Sequence, residues 1–222
     1  SNTWKSNQPK DFYSDYGGHG THVGGIIAGK TYGWAKNSDI YLMKINHLDG
    51  VSNTGITDPD YFDLIIEWHQ QKPVDPVTGY KRPTVVNMSW GYSYNFFPQY
   101  GVYRGIPWNY DDTPDLPWTD IGFPPDGGGP NARLDNVDIA IEAMIDAGIH
   151  ICIAAGNLDY KIDVPGGIDY DNICCPDGYS IETTQLHYHR GSSPYSDRAF
   201  IVGCLSADPT WVEQNGKEDK AY

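Results

Sequence analysis

No apolar run in this chain approaches the length of a membrane span, so the sequence offers no transmembrane helix. Cationic side chains are scarce: 15 Lys and Arg stand against 29 Asp and Glu, for a formal charge of −14. That balance argues against a protein that grips nucleic-acid phosphates regardless of sequence. Acidic residues such as Asp11, Asp15, Asp58, Asp60, Asp111 and Asp112 are scattered through loops and read as solvated surface. Cysteine is sparse too, with four in 222 residues and no metal-ligand spacing. Cys152 and Cys204 sit inside apolar runs and read as small core residues. Cys174 and Cys175 are adjacent, where a bond between them would be strained, and a long-range disulfide or a metal role for the pair is left open without any supporting spacing. The N-terminal Ser-Asn-Thr-Trp-Lys lacks the pattern of a signal peptide, and no segment repeats.

What remains is enough for a folded domain. Hydrophobic content is 39% and charged content 20%, outside the disordered range. A chain of this length buries one sizeable core.

From residue 19 onward, helix and strand patterns alternate. His19–Gly29 reads as a helix, closely packed through Gly24, Gly25 and Ala28. Ile40–Ile45 reads as a strand. Asp60–Gln70 places Tyr61, Phe62, Ile65, Ile66 and His69 on one helical face. Thr84–Ser89 reads as a strand. Ala132–Ala147 reads as a helix, with Leu134, Val137, Ile141, Met144 and Ile145 inward and Gly148 at the C′ position. Ile149–Ala155 and Phe200–Leu205 have the continuous apolar runs of buried parallel strands. This alternation predicts an α/β fold: a three-layer sandwich around a mainly parallel sheet. Two long segments interrupt it. Residues 92–130 are rich in Tyr, Trp, Pro, Asp and Gly, and residues 158–197 hold the cysteine pair and a His-Tyr-His triplet. Segments of this length are functional more often than not when they are ordered. Both follow strand ends, where open α/β sheets bind ligands.

Three short segments carry chemistry. In Gly18-His19-Gly20-Thr21-His22-Val23-Gly24-Gly25 a histidine stands between glycines at a helix start. The helix N-terminus disfavours an imidazolium there, which keeps His19 available as a base. The plain alternative is a histidine that only caps the helix. In Val85-Val86-Asn87-Met88-Ser89-Trp90-Gly91 a strand ends in a small residue, an aromatic and a glycine. In Ala154-Ala155-Gly156-Asn157 an amide follows a strand and can donate to a developing oxyanion. A Gly-Asn turn without chemistry would look the same.

These three segments, in this order, resemble the subtilase family of serine proteases. The family's histidine motif is His-Gly-Thr-His-Val-Ala-Gly, which implies that His19 is the base and that His22 is structural. The His-x-x-His spacing lacks a third residue suited to a metal. Residues 29–36 resemble the proteinase K branch, and residues 40–45 the strand that follows. Asn-Met-Ser-Leu-Gly is the family's substrate-pairing segment, which implies substrate contacts for Ser89, Trp90 and Gly91. Trp90 stands where leucine is usual. Ala-Ala-Gly-Asn implies that Asn157 is an oxyanion donor and that Ala154, Ala155 and Gly156 wall a side-chain pocket. The resemblance runs from about Tyr16 to Ala207, outside the two long segments.

Two family features are missing. No apolar strand ending in aspartate precedes His19, and Asp11 and Asp15 are poor substitutes. No Gly-Thr-Ser-Met-Ala follows residue 205, and Gly191-Ser192-Ser193-Pro194 reads as a loop. The expectation is therefore a partial subtilisin-like catalytic domain over residues 1–222, incomplete at both ends, with inserted loops at about 92–130 and 158–197. The intact protein is expected to be a serine endopeptidase acting on peptide or protein substrates. Its other partners would be the missing parts of its own chain, with no nucleic acid and no membrane. The alternative is an inactive protease-derived module of a larger assembly such as a virus particle. An extracellular or virion-associated setting is favoured over the cytoplasm. No cofactor is implied. Calcium is left open at Asp111-Asp112 and Asp169–Asp171, because residues 30–38 are too short to wrap a family calcium ion.

Overall fold

The computed structural model describes residues 15, 17–43, 58–94, 96–112, 118–123, 129–157 and 161–203. The chain divides into two compact units, Ser1–Tyr61 and Phe62–Tyr222. The first holds helix α1, His19–Ala28. Its C-cap is Gly29, whose N–H bonds to the Gly25 carbonyl at 2.9 Å. A Cβ on Gly33 would lie within 2.6 Å of the backbone of Ala28 and Gly29, so only glycine fits that turn. The strand expected from Ile40 is not formed at residues 40–43, which are exposed and pair with no described strand. Their apolar pattern sets a preference for extended backbone, but a strand also needs a neighbour for its hydrogen bonds. Residues 44 and 45 lie outside the described residues.

Helix α2, Asp58–Gln71, crosses from the first unit into the second. Phe62 and His69 of its predicted apolar face are buried. The His69 ring meets the Thr84 hydroxyl at 2.7 Å, and burial pushes its pKa down. In the second unit, strands β1 (Val85–Met88), β4 (His150–Ala154) and β7 (Phe200–Val202) form a parallel sheet in the order β1-β4-β7. Helix α3, Asp135–Asp146, buries Val137, Ala140, Ile141 and Met144. Ile149, Ile151 and Ile153 of the following segment are also buried. Gly148 follows α3 with φ 88, the left-handed exit expected of it. The subtilisin-like α/β arrangement read from the sequence is thus present.

Two differences are informative. Helix α3 starts at Asp135 instead of Ala132, because Leu134 is extended (φ −123, ψ 105) and Asn131 bridges Ser93. Strand β7 is exposed along its length, and Val85 of β1 is 63% exposed. Each has β4 as its sole described neighbour, so the continuous burial expected of interior parallel strands is not met. Even β4 buries only Ile151 and Ile153, with Cys152 half-buried and His150 and Ala154 exposed.

The two long segments are not merely loops. They build one antiparallel sheet in the order β3-β2-β5-β6 from Pro98–Tyr103 (β2), Ile106–Asn109 (β3), Ile173–Pro176 (β5) and Leu186–His187 (β6). Gly101 faces Cys174 and Val102 faces Ile173. Beneath the sheet lies a second core of Trp108, Ile121, Phe123, Cys174 and Tyr188. The rings of Phe123 and Tyr188 stack at 4.3 Å. Cys174 and Cys175 are buried and free, as is the half-buried Cys152, while Cys204 lies outside the described residues. Burial pushes the Cys174 thiol well up, so it is inert packing.

Candidate active site

The predicted site residues are divided between the two units, and each set has its own local geometry. In the first, His19 is the first residue of α1 and is exposed. Gly18 before it is left-handed at φ 67, which sharply bends the chain into the helix. His22, one turn along, is also exposed. The sequence reading missed the role of Asp15. Its Oδ2 accepts the Thr21 N–H at 2.6 Å and its Oδ1 the Gly18 N–H at 3.1 Å. An aspartate shortly before a glycine that opens a helix was the available signal.

In the second unit, Met88 and Ile153 are register partners of the parallel strands β1 and β4. The chain therefore leaves the sheet at two adjacent points. Ser89, Trp90 and Gly91 follow one strand. Ala154 ends the other, and Ala155, Gly156 and Asn157 follow it. The structure brings these seven predicted residues to one carboxyl edge, where an open α/β sheet binds its ligand. The Ala155 N–H reaches the Val202 carbonyl at 2.9 Å and extends the pairing one step. Gly156 then turns with φ 104, which a side chain would oppose. Gly156 and Asn157 are exposed. Asn87 donates through Nδ2 to the Ser89 Oγ at 2.9 Å.

The segment after Ser89 is firmly held. The Tyr92 N–H bonds to the Ser193 carbonyl at 3.1 Å, and the Tyr92 carbonyl accepts the Ala132 N–H at 3.1 Å. A Cβ on Gly91 would lie 2.6 Å from the Ser192 Oγ. Trp90 is half-buried and meets Tyr92 edge-on at 5.5 Å. Ser193 is fully buried. Its Oγ accepts the Leu134 N–H at 2.7 Å, which makes it a structural hydroxyl in the loop that contains it.

The order and spacing of these segments match a known family. The profile of the subtilase family matches residues 1–206. The chain belongs to the subtilase family. Among relatives, it is 40% identical over 93 residues to Subtilisin-like protease 5 of Arthroderma otae, which is 41% of this chain and 22% of that protein. It is 38% identical over 94 residues to Subtilisin-like protease 7 of Trichophyton soudanense, covering 40% of this chain and 20% of that protein. A subtilisin-like protease of Coccidioides posadasii is 27% identical over 155 residues, 69% of this chain and 27% of its own length. The match thus covers about a fifth to a quarter of the length of each of these three relatives. No solved structure was found to match it.

Among the described residues, no group of three or more His, Cys, Asp or Glu is placed to hold a metal ion. The Asp169 carboxylate is taken by Arg104, Lys161 and Asn172. No described helix is long and apolar enough to cross a membrane.

Proposed function

We propose that this subtilase chain contributes the general base, one oxyanion donor and the substrate-pairing backbone of a serine endopeptidase. The observation that carries the reading is the Met88–Ile153 register pair, which makes the segments Ser89–Gly91 and Ala154–Asn157 leave the sheet from adjacent strand ends. A peptide laid along the first segment would gain backbone hydrogen bonds regardless of its sequence. Its scissile carbonyl would then be available to the Asn157 amide.

The nucleophilic serine and the orienting aspartate are assigned to chain outside these 222 residues. The serine attacks the carbonyl carbon, and His19 takes its proton. The developing oxyanion is stabilised by the Asn157 amide. His19 returns the proton to the leaving amine, and a water repeats the sequence on the acyl-enzyme. Ala154, Ala155 and Gly156 line the pocket for the side chain before the scissile bond.

A fluorophosphonate probe tests this on the full-length protein. The native protein should label and hydrolyse a peptide library. His19→Ala should lose hydrolysis by several orders of magnitude while its melting temperature stays close to native. Retained hydrolysis in the purified His19→Ala variant would remove His19 from the chemistry. A native protein that neither labels nor hydrolyses would point to the non-catalytic alternative.

A further inference from the structure

Helix α1 is capped in an uncommon way. The N-cap position usually carries Ser, Thr, Asp or Asn, whose side-chain oxygen takes an orphan backbone N–H two or three residues on. Here the N-cap is Gly18, held left-handed at φ 67 and ψ −8. A side chain is strained in that conformation, so the residue that fits the bend cannot cap the helix. The oxygen comes instead from three residues upstream. Asp15 Oδ2 accepts the N–H of Thr21, the third helical residue, at 2.6 Å. Asp15 Oδ1 accepts the N–H of Gly18 at 3.1 Å, and the same N–H reaches the Asp15 carbonyl at 3.2 Å. One carboxylate therefore grips the backbone on both sides of His19.

We propose that Asp15 is a positioning residue for His19. The inference rests on the reading of His19 as the base. Two bonded amides, one before His19 and one after it, fix the first turn of α1 and hence the direction in which its Cα–Cβ bond points. Both oxygens are engaged with backbone amides, so Asp15 acts through the helix start and not on the imidazole. An exposed first turn frays readily, and His19 is exposed. Without this clamp the imidazole would sample directions from which it cannot take the serine proton. A base must lie within hydrogen-bond reach of the proton it removes, and small misplacements are costly to the rate. Hydrogen bonds from the Thr21 hydroxyl and amide also hold the Asp15 carboxyl below its ordinary range. The clamp is therefore ionised at neutral pH.

The experiment compares Asp15→Ala, Asp15→Asn and His19→Ala in the full-length protein, with two readouts. Asp15→Ala should lower kcat by about tenfold or more with KM nearly unchanged. Asp15→Asn keeps one acceptor oxygen, which can serve the Thr21 N–H but turns its NH2 toward the Gly18 N–H, and should recover part of that loss. Amide exchange at Thr21 should quicken in Asp15→Ala and stay near native in Asp15→Asn, whether or not the protein turns over. An unchanged kcat, a loss that Asn does not recover, a change in KM alone, or unaltered Thr21 exchange overturns the proposal. Hydrolysis that survives His19→Ala overturns the underlying reading instead, and that variant leaves Thr21 exchange near native. The two failures are thereby distinct.

Discussion

The Arg104 guanidinium donates to both carboxylate oxygens of Asp169, from Nε at 2.6 Å and from Nη2 at 2.9 Å. The two residues are 65 positions apart and belong to different inserted segments. Asp169 is fully buried, whereas the Arg104 side chain is 41% exposed. Lys161 also contacts Asp169. The Asn172 side chain joins both partners, accepting the Arg104 N–H at 2.6 Å and donating to Asp169 at 3.0 Å. This network fastens the β2–β3 turn to the loop before β5. It also holds Arg104 in a left-handed conformation at φ 51, which for a residue with a side chain costs about 1–2 kcal/mol.

Asp169 should therefore govern acid stability. Its folded-state pKa lies below the ordinary 3.8, chiefly through the Arg104 hydrogen bonds. The unfolded chain binds this proton first as pH falls. The stabilisation is thus complete above the unfolded value and is lost as pH drops through it toward the folded one. Asp169→Asn should destabilise the protein at neutral pH by about 1.5–3 kcal/mol, toward the lower end because both cations can reach water. Urea denaturation from about pH 7 down to about pH 3 should show a smaller loss for Asn than for the native protein. Parallel acid limbs would remove Asp169 from this role.

Apolar patterning made much of the fold legible. The helices at Asp58 and Asp135 follow from apolar periodicity and the strands at Val85, His150 and Phe200 from short apolar runs. The close packing expected of the His19 helix through Gly24, Gly25 and Ala28 is not seen, since that helix buries none of its residues. The antiparallel sheet was not legible, because β2 and β5 find each other across about seventy residues, and no local pattern encodes such a pairing. Its tight turn was also hidden. Two central residues of positive φ usually read as Asn-Gly or Asp-Gly, but here they are Arg104 and Gly105. Arg104 is held there by a partner that sequence does not place beside it. The positions of the seven strand-end residues were legible because each ends or directly follows its strand, while the roles proposed for them come from the family resemblance. Asp15 was not, because its value lies in backbone amides that depend on the left-handed Gly18.

Ser193→Ala should be costly for a single lost oxygen. The buried hydroxyl accepts the Leu134 N–H at 2.7 Å and donates to the Leu134 carbonyl at 3.3 Å. Leu134 is the N-cap of α3 but gives no side-chain cap. Removing Oγ leaves that N–H without its partner in a part-buried site, at a cost of about 1–3 kcal/mol. Ser193→Thr keeps the hydroxyl but adds a methyl group to a fully buried position, and should also lose stability. Equilibrium denaturation decides. A Ser193→Ala variant as stable as native would mean that water replaces the hydroxyl at no net cost.

Asn157→Ala should separate binding from chemistry. Asn157 is exposed past the left-handed Gly156. In the proposed mechanism its amide meets charge that exists mainly in the transition state. Removing such a donor should lower kcat by about a hundredfold or more and change KM little. A rise in KM at constant kcat would show that Asn157 binds ground-state substrate. An unchanged kcat and KM would leave it as a turn residue.

Trp90 is the residue where the site departs most from its family's usual leucine, and its surroundings give it two roles to separate. Its ring is half-buried and meets Tyr92 edge-on, with centroids 5.5 Å apart at 82°. Such a contact stabilises by about 0.5–1.5 kcal/mol beyond simple burial. Tyr92 is itself fixed to Ser193 and Ala132, so the indole leans on a rigid neighbour. Being half-buried, the ring also keeps a surface for substrate. It stands one residue beyond Ser89, on the segment proposed to pair with the peptide. An indole there walls a side-chain pocket more closely than leucine would. Trp90→Leu should therefore lower stability by about 1 kcal/mol through the lost ring contact. It should also widen tolerance for bulky aromatic side chains two to four residues before the cut, with kcat for small-side-chain substrates nearly unchanged. Profiling native and variant protein on one peptide library, beside a melting curve for each, reads both effects. Identical cleavage preferences with a lower melting temperature would confine Trp90 to packing against Tyr92.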